Sequence, residues 1–173
     1  MKAKSVLNFM LLPALWVTAI NVQAANTVQF NGEITDSTCS AVAGDSGVVT
    51  LPTMSTSDFS GQTTTGRTAF AIQLTGCTGT LQNVGAQFIV DPINVDMATD
   101  LIRNTGTATG VNVRLRNKDS NINYVGLSQL PIQYVDVSSG SGTLNYFAEY
   151  FSSSGTVKPG TVRGQLEYVL SYQ

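Results

Sequence analysis

Histidine is absent from the 173-residue sequence, and charged residues make up only 12 % of it. Without histidine the chain has no Ser–His–Asp or Cys–His catalytic arrangement, and it lacks the commonest general base and metal ligand of proteins. The GxGxxG, Walker and HExxH motifs are absent as well. The sequence therefore predicts a protein that is not an enzyme and has no cofactor or metal site.

Basic residues are scarce, with nine Lys and Arg against eleven Asp and Glu. The basic residues Arg114, Arg116 and Lys118 form a cluster too small for a nucleic-acid or membrane-binding patch, so we expect neither partner. Three carboxylates lie close together in the sequence, at Asp91, Asp96 and Asp100, but they do not have the spacing of an EF-hand loop. Their spacing favours solvated loop residues over a calcium site or a glycosidase pair.

A long apolar run occurs only at the start of the chain. Lys2 and Lys4 precede mostly apolar residues at 6–20, and Val22 and Ala24 are small residues at the positions that a signal peptidase reads. The run is shorter than the roughly 20 residues that span a bilayer. We predict a signal peptide over residues 1–24 and a mature chain without an integral membrane segment.

The sequence has two cysteines, Cys39 and Cys77. In an exported chain they are expected to form a disulfide, which the chain-entropy model values at about 4 kcal/mol for a loop of this size. A redox pair usually has the spacing Cys-x-x-Cys, and two distant thiolates without histidine make a poor zinc site. A structural disulfide is the favoured interpretation.

Alternation with a period of two residues dominates the rest of the chain. Phe70, Ile72 and Leu74 alternate with polar or small residues, and so do Val113 and Leu115, which is typical of half-buried strands. Turn-forming residues separate such runs, and the whole pattern predicts an all-β sandwich. Further strands are predicted at residues 48–51, 87–90, 122–125, 144–151 and 162–172.

The pattern predicts strands at both ends of the predicted mature chain. Four residues near its start, Val28, Phe30, Gly32 and Ile34, share one face of an extended segment. This segment is either the first strand of the chain's own sandwich or an arm that pairs with another molecule, and a glycine at a core position favours the arm. An arm would leave the body about one strand short of a seven-stranded sandwich, with an exposed groove and unpaired strand edges.

Several of these features recur in one family. Residues 30–34 precede Cys39, Cys77 follows the strand at 72–74, Gly160 is the fourteenth residue from the end, and Tyr172 is the penultimate residue. In this order, after a signal peptide, the chain resembles the pilin subunits of type 1-like fimbriae, which are assembled by the chaperone–usher route.

The resemblance implies an incomplete immunoglobulin-like β-sandwich that lacks its last strand and is completed by donor-strand exchange, a known case of β-strand addition. Residues 25–36 would be the donor-strand extension and residues 37–173 the pilin domain. The extension would insert Val28, Phe30, Gly32 and Ile34 into a neighbouring subunit. The edge strand that borders the groove and contacts the chaperone would carry Gly160, Leu166, Tyr168, Leu170 and Tyr172.

The resemblance also implies the partners and location. We expect a periplasmic pilus chaperone, an outer-membrane usher and neighbouring pilin subunits, with export through the periplasm to a cell-surface fimbrium that supports adhesion. A secreted carbohydrate-binding module of the adhesin type is the alternative, although the predicted mature chain has no room for an additional lectin domain. The sequence leaves open whether the chain is a major rod subunit or a minor adaptor.

Overall fold

The computed structural model describes Gln29, Gly32 and residues 34–60, 63–118 and 126–173. A compact unit begins at Ile34 and ends at Gln173. Within the described ranges the chain forms strands and two short 3₁₀ turns, Thr56–Phe59 and Leu127–Gln129, but no α-helix, so the predicted all-β class is confirmed. The predicted signal peptide and the predicted strand at 122–125 lie outside the described residues.

Nine strands of the described ranges build two antiparallel sheets. The larger sheet has the order β1-β2-β8-β6-β5-β4, and the smaller has the order β7-β3-β9. The strands are β1 (Thr38–Ala43), β2 (Thr64–Thr78), β3 (Asn83–Phe88), β4 (Val95–Asp96), β5 (Leu101–Ile102), β6 (Asn112–Asn117), β7 (Tyr134–Asp136), β8 (Ser141–Phe151) and β9 (Tyr168–Tyr172).

The apolar alternation seen in the sequence defines the inner faces of the sheets. Ile72 and Leu74 of β2 and Leu144 and Tyr146 of β8 are at most 1 % exposed. They pack with Val84 of β3 in one core cluster between the sheets. The outward-facing alternate positions of β2, such as Ala71 and Gln73, are small or polar, which is typical of a half-buried strand, whereas β8 also carries Phe147 on its outer side.

Three predicted strands differ from the structure, and the one predicted at 87–90 is found as Asn83–Phe88. Residues 48–51 do not form a strand, because Asp45 and Val48 exchange backbone hydrogen bonds in a tight turn. The predicted strand at 162–172 is paired only over Tyr168–Tyr172. Residues before it bond instead to a loop, with Thr105 N–H donating to the carbonyl of Arg163 at 2.8 Å.

The disulfide predicted between Cys39 and Cys77 is confirmed, with the two Cα atoms 4.1 Å apart. It joins β1 to the end of β2, where the two strands also pair as Thr38 with Thr78. The first strand of the body is therefore attached to the larger sheet by a covalent bond as well as by hydrogen bonds.

Candidate functional site: an open groove between two strand edges

An apolar groove of about 630 Å³ opens between the two sheets. Its floor is formed by core side chains of the facing strands, among them Phe70 and Ile72 of β2, Leu115 of β6 and Phe88 of β3. One wall is the chain that leaves β1, with Ala43, Val49 and Leu51, and the other is the chain that enters β9, with Val162, Leu166 and Tyr168.

The wall on the β9 side carries unused backbone groups. Gln173 and Asn83 exchange two backbone hydrogen bonds of 2.8 and 3.0 Å. In an antiparallel pair every second residue repeats this pattern, so the backbone N–H and C=O groups of Ser171 and Val169 also point toward β3. The backbone N–H and C=O groups of Tyr168, Leu170 and Tyr172 point the other way, and β9 has no second neighbour among the described strands. This edge of β9 is free to pair.

The wall on the β1 side has a matching edge. β1 pairs with β2 alone within the described part of the chain. Gly44 N–H donates to the carbonyl of Ala71 at 2.8 Å. In this register the backbone N–H and C=O groups of the even-numbered residues of β1 point toward β2, and those of Ala41 point to the opposite side. The groove therefore lies between two strand edges that both present backbone donors and acceptors.

Tyr172 and the disulfide mark one end of the groove region. The hydroxyl of Tyr172 accepts a hydrogen bond of 3.0 Å from the backbone N–H of Cys39. Tyr172, Cys39 and Cys77 also line a second, small cavity of about 70 Å³. The hydrogen bond links the smaller sheet to the larger one at this end.

An aromatic cluster supports the floor. The ring of Tyr146 stacks on Phe70 at 5.5 Å and meets Phe88 edge to face at 5.3 Å, and Phe88 contacts Tyr168 at 6.1 Å. Burial is the main cause that raises the pKa of Tyr146 to about 12, and the neighbouring Tyr168 contributes. The cluster is thus a neutral, rigid surface for apolar side chains at physiological pH.

Four of the residues predicted for the groove edge lie together. Leu166 and Tyr168 line the groove, and Leu170 and Tyr172 continue along β9 with their side chains against the core. Of the predicted donor residues, Ile34 is fully exposed at the start of the compact unit. Val28 and Phe30 lie outside the described residues, and the donor role of all four, including Gly32, remains a prediction.

Gly160 lies apart from the groove lining. A Cβ atom at this position would be 2.6 Å from the carbonyl carbon of Thr107. The same crossing is held by Thr161, whose N–H donates to the Thr107 hydroxyl at 2.9 Å. Gly160 therefore permits close packing of two backbone segments eight residues before β9, and its predicted contact with a chaperone remains a prediction.

The sequence analysis missed two features. It did not identify β1 as the second wall, because Thr38–Ala43 has no apolar run and only its alternation of small and polar residues could have indicated a strand. It also missed the burial of Glu149, which is 1 % exposed and bonds to arginines of two other strands. A lone glutamate inside an apolar strand pattern was the available signal.

The fold and the groove define an all-β sandwich with an open apolar groove between two strand edges. The family model described as "Fimbrial protein" matches residues 28–173. The major fimbrial subunit SMF-1 of Stenotrophomonas maltophilia (strain K279a) is 36 % identical over 162 residues, covering 86 % of this chain and 93 % of the relative. The chain belongs to the fimbrial protein family.

Two further comparisons agree. The S-fimbrial protein subunit SfaG of Escherichia coli O6:K15:H31 (strain 536 / UPEC) is 25 % identical over 166 residues, covering 95 % of this chain and 93 % of that protein. A solved chaperone–usher pilus subunit, from a structure that concerns rod uncoiling, is 20 % identical with a TM-score of 0.57, covering 90 % of this chain and 100 % of that chain. The pilin fold and the resemblance inferred from the sequence are confirmed, and the chain is a structural subunit of a surface fimbrium.

Proposed function

We propose that this subunit polymerises by donor-strand complementation, in which residues 25–36 of one copy fill the groove of the next subunit. The observation that carries the proposal is the apolar groove of about 630 Å³ between the free edges of β1 and β9. An extended strand placed there would form hydrogen bonds on both sides and cover the apolar floor.

The predicted donor residues have the required character. Val28, Phe30 and Ile34 present apolar side chains on one face of an extended segment, and Gly32 presents none. Seven extended residues span roughly 23 Å, which is comparable to the span of the wall from Leu166 to Tyr172. Each buried Val, Phe or Ile would contribute about 1.5–3 kcal/mol, and each backbone hydrogen bond about 1 kcal/mol.

The same groove accounts for the remaining partners. Before assembly its edges are exposed to unwanted pairing, so a periplasmic chaperone that occupies them would keep the subunit soluble until an outer-membrane usher replaces it with the next extension. The predicted signal peptide supplies the export that this route requires. The 36 % identity to a protein described as a major fimbrial subunit supports a role in the rod rather than as an adaptor.

The proposal is tested with one variant that cannot donate and one that cannot accept. Deletion of residues 25–34 removes the donor and leaves the groove, whereas Leu166→Glu places a charge in the groove and leaves the donor. Alone, neither variant should polymerise, and a mixture should stop at dimers. Val169→Glu is the matched control, because Val169 is 50 % exposed on the opposite face of the C-terminal strand. The subunit with this substitution should polymerise normally. Long fibres from the deletion variant would refute the proposal.

A further inference from the structure

The β9 wall of the groove begins before β9, in a segment that has no strand beside it. Residues 161–166 line part of the groove but form no strand and pair with none of the described strands. The chain that continues β3 reaches this wall at Glu167, whose carbonyl accepts a hydrogen bond of 2.9 Å from the N–H of Ile89. Residues 161–166 therefore depend on another part of the fold for their position.

The loop between β5 and β6 binds this segment through its backbone. Thr105 N–H donates to the carbonyl of Arg163 at 2.8 Å, and Ala108 N–H donates to the carbonyl of Thr161 at 3.0 Å. In the other direction, the N–H of Thr161 donates to the hydroxyl of Thr107 at 2.9 Å. The loop thus takes the place of a neighbouring strand beside this part of the wall.

The side chain of Asn104 connects the loop to the wall. Its Oδ1 accepts hydrogen bonds from the N–H of Gly106 at 2.8 Å and from the N–H of Arg163 at 3.0 Å. Its Nδ2 donates to the carbonyl of Ala108 at 2.8 Å, and its backbone N–H donates to Oδ1 of Asn112 in β6 at 3.2 Å. One residue therefore shapes the loop, binds the wall segment and attaches both to the larger sheet.

The residues between these contacts point their backbone groups toward the groove. Thr161 and Arg163 bond to the loop, and the backbone groups of an extended segment alternate between its two sides, so those of Val162 and Gly164 point the other way. Val162 packs against the core, and a Cβ atom at Gly164 would lie 2.8 Å from Cγ2 of Ile102 in the groove lining. No hydrogen bond between described residues uses the N–H of Val162 or Gly164. The unpaired edge of β9 thus continues through both residues.

We propose that Asn104 is a positioning residue for donor-strand capture. With the 104–108 loop it keeps residues 161–164 extended, so that Val162 and Gly164 offer backbone donors and acceptors to the incoming strand. An ordered segment loses less conformational entropy on pairing than a flexible one, so part of the affinity for the donor depends on the loop. This inference rests on the proposed donor-strand complementation and extends its acceptor edge beyond β9.

Amide hydrogen exchange tests the proposal, with a peptide copying residues 25–36 as the donor. In the wild-type subunit the peptide should slow exchange at Val162 and Gly164 as well as at Leu170. In Asn104→Leu, which keeps the size of the side chain but removes its polar atoms, protection at Val162 and Gly164 should fall roughly tenfold while that at Leu170 stays unchanged. Asn104→Asp keeps the acceptor oxygen for Arg163 and should retain most of the protection.

A milder variant and a control accompany this comparison. Thr107→Val removes only the hydroxyl that accepts from Thr161 and should reduce protection at Val162 in the same direction. Thr109→Val is the matched control, because Thr109 is exposed and its hydroxyl has no hydrogen-bond partner among the described residues. The readout is the ratio of protection with and without peptide at each amide, which a general loss of stability would change equally along the whole wall.

Shortened peptides give an independent readout. Two peptides, each lacking three residues at one end, are compared with the full peptide, and the one that leaves Val162 unprotected should bind the wild type roughly tenfold more weakly. The same shortening should cost Asn104→Leu little, because its 162–164 segment no longer contributes. Wild-type protection confined to β9, or unchanged protection at Val162 and Gly164 in Asn104→Leu, would overturn the inference and leave the proposed function intact. No protection anywhere along the wall would refute both.

Discussion

At the scale of single residues, buried polar groups of β8 differ in how well they are partnered. Glu149 is 1 % exposed and bonds to Arg67 and Arg114, which come from two neighbouring strands. The hydroxyl of Tyr146 is equally buried but has no hydrogen-bond partner among the described residues. A paired buried charge is costly to break, whereas an unpaired buried hydroxyl is costly to keep.

Replacement of Glu149 by Gln should destabilise the subunit by about 3 kcal/mol, because the largely buried Arg114 loses its counter-charge. Urea unfolding of the subunit with a donor peptide in its groove measures the change. Glu167→Gln, at an exposed carboxylate, is the control and should change the free energy of unfolding by less than about 0.5 kcal/mol. Equal effects for the two variants would show that the ion pairs of Glu149 with Arg67 and Arg114 do not stabilise the fold.

Two tyrosine substitutions should have opposite signs. Tyr172→Phe removes the acceptor for the Cys39 N–H and should cost about 1 kcal/mol of stability. Tyr146→Phe removes a hydroxyl without a partner and should be neutral or stabilising, since only an unsatisfied polar group is lost. Thermal unfolding of both variants, again with bound donor peptide, provides the comparison. A loss of stability in Tyr146→Phe would mean that its hydroxyl is satisfied in solution.

At the scale of elements, the function depends on which side of a strand is unpaired. β9 bonds to β3 through Val169 and Ser171 and exposes the backbone groups of Tyr168 and Leu170 toward the groove. The sequence predicted the alternation of side chains along this strand. The sequence could not show which edge of β9 would be unpaired, because the alternation of side chains in a strand does not specify its neighbouring strands.

Amide hydrogen exchange should therefore alternate along β9. In a subunit with an empty groove, the N–H groups of Tyr168 and Leu170 should exchange fast, and those of Val169 and Ser171 slowly. A peptide copying residues 25–36 should protect the first pair and leave the second nearly unchanged, because only the free edge gains hydrogen bonds. Uniform protection of all four amides before peptide is added would contradict a free edge.

At the scale of the whole molecule, the chain has few charged residues and few titratable groups in its core. The stability of the fold at low pH therefore depends mainly on carboxylates near the surface. Hydrogen bonds, first that from the backbone N–H of Ala98, lower the pKa of Asp96 below its usual value of 3.8. A group with a lowered pKa in the folded state stabilises the fold fully above its unfolded pKa. That stabilisation is lost as the pH falls through the lower, folded value.

The melting temperature should therefore fall below about pH 3.8 more steeply in the wild type than in Asp96→Asn. The Asn variant should be less stable than the wild type at pH 6, and the difference should shrink as the pH approaches 2. Asp45→Asn, in an exposed turn, is the control and should follow the wild-type curve. Parallel curves for wild type and Asp96→Asn would show that Asp96 does not contribute to acid sensitivity.

The sequence by itself determined the β class and the disulfide of this protein. Alternation at Phe70, Ile72 and Leu74 assigns inner and outer faces, because side chains of a strand point to opposite sides in turn. With only two cysteines in a chain predicted to be exported, the pairing of Cys39 with Cys77 was the favoured interpretation. The family resemblance rested on short motifs in a fixed order, which are also local features.

Only the tertiary structure decided where these elements meet. It placed β1 and β9 on either side of an open groove, and it brought Arg67 to Glu149 across 82 positions of sequence. It also showed that Gly160 permits a close backbone crossing with Thr107 instead of lining the groove. The physical reason is that strand neighbours and close backbone contacts arise from long-range packing. Alternation and spacing are local features and do not specify which distant segments will pair.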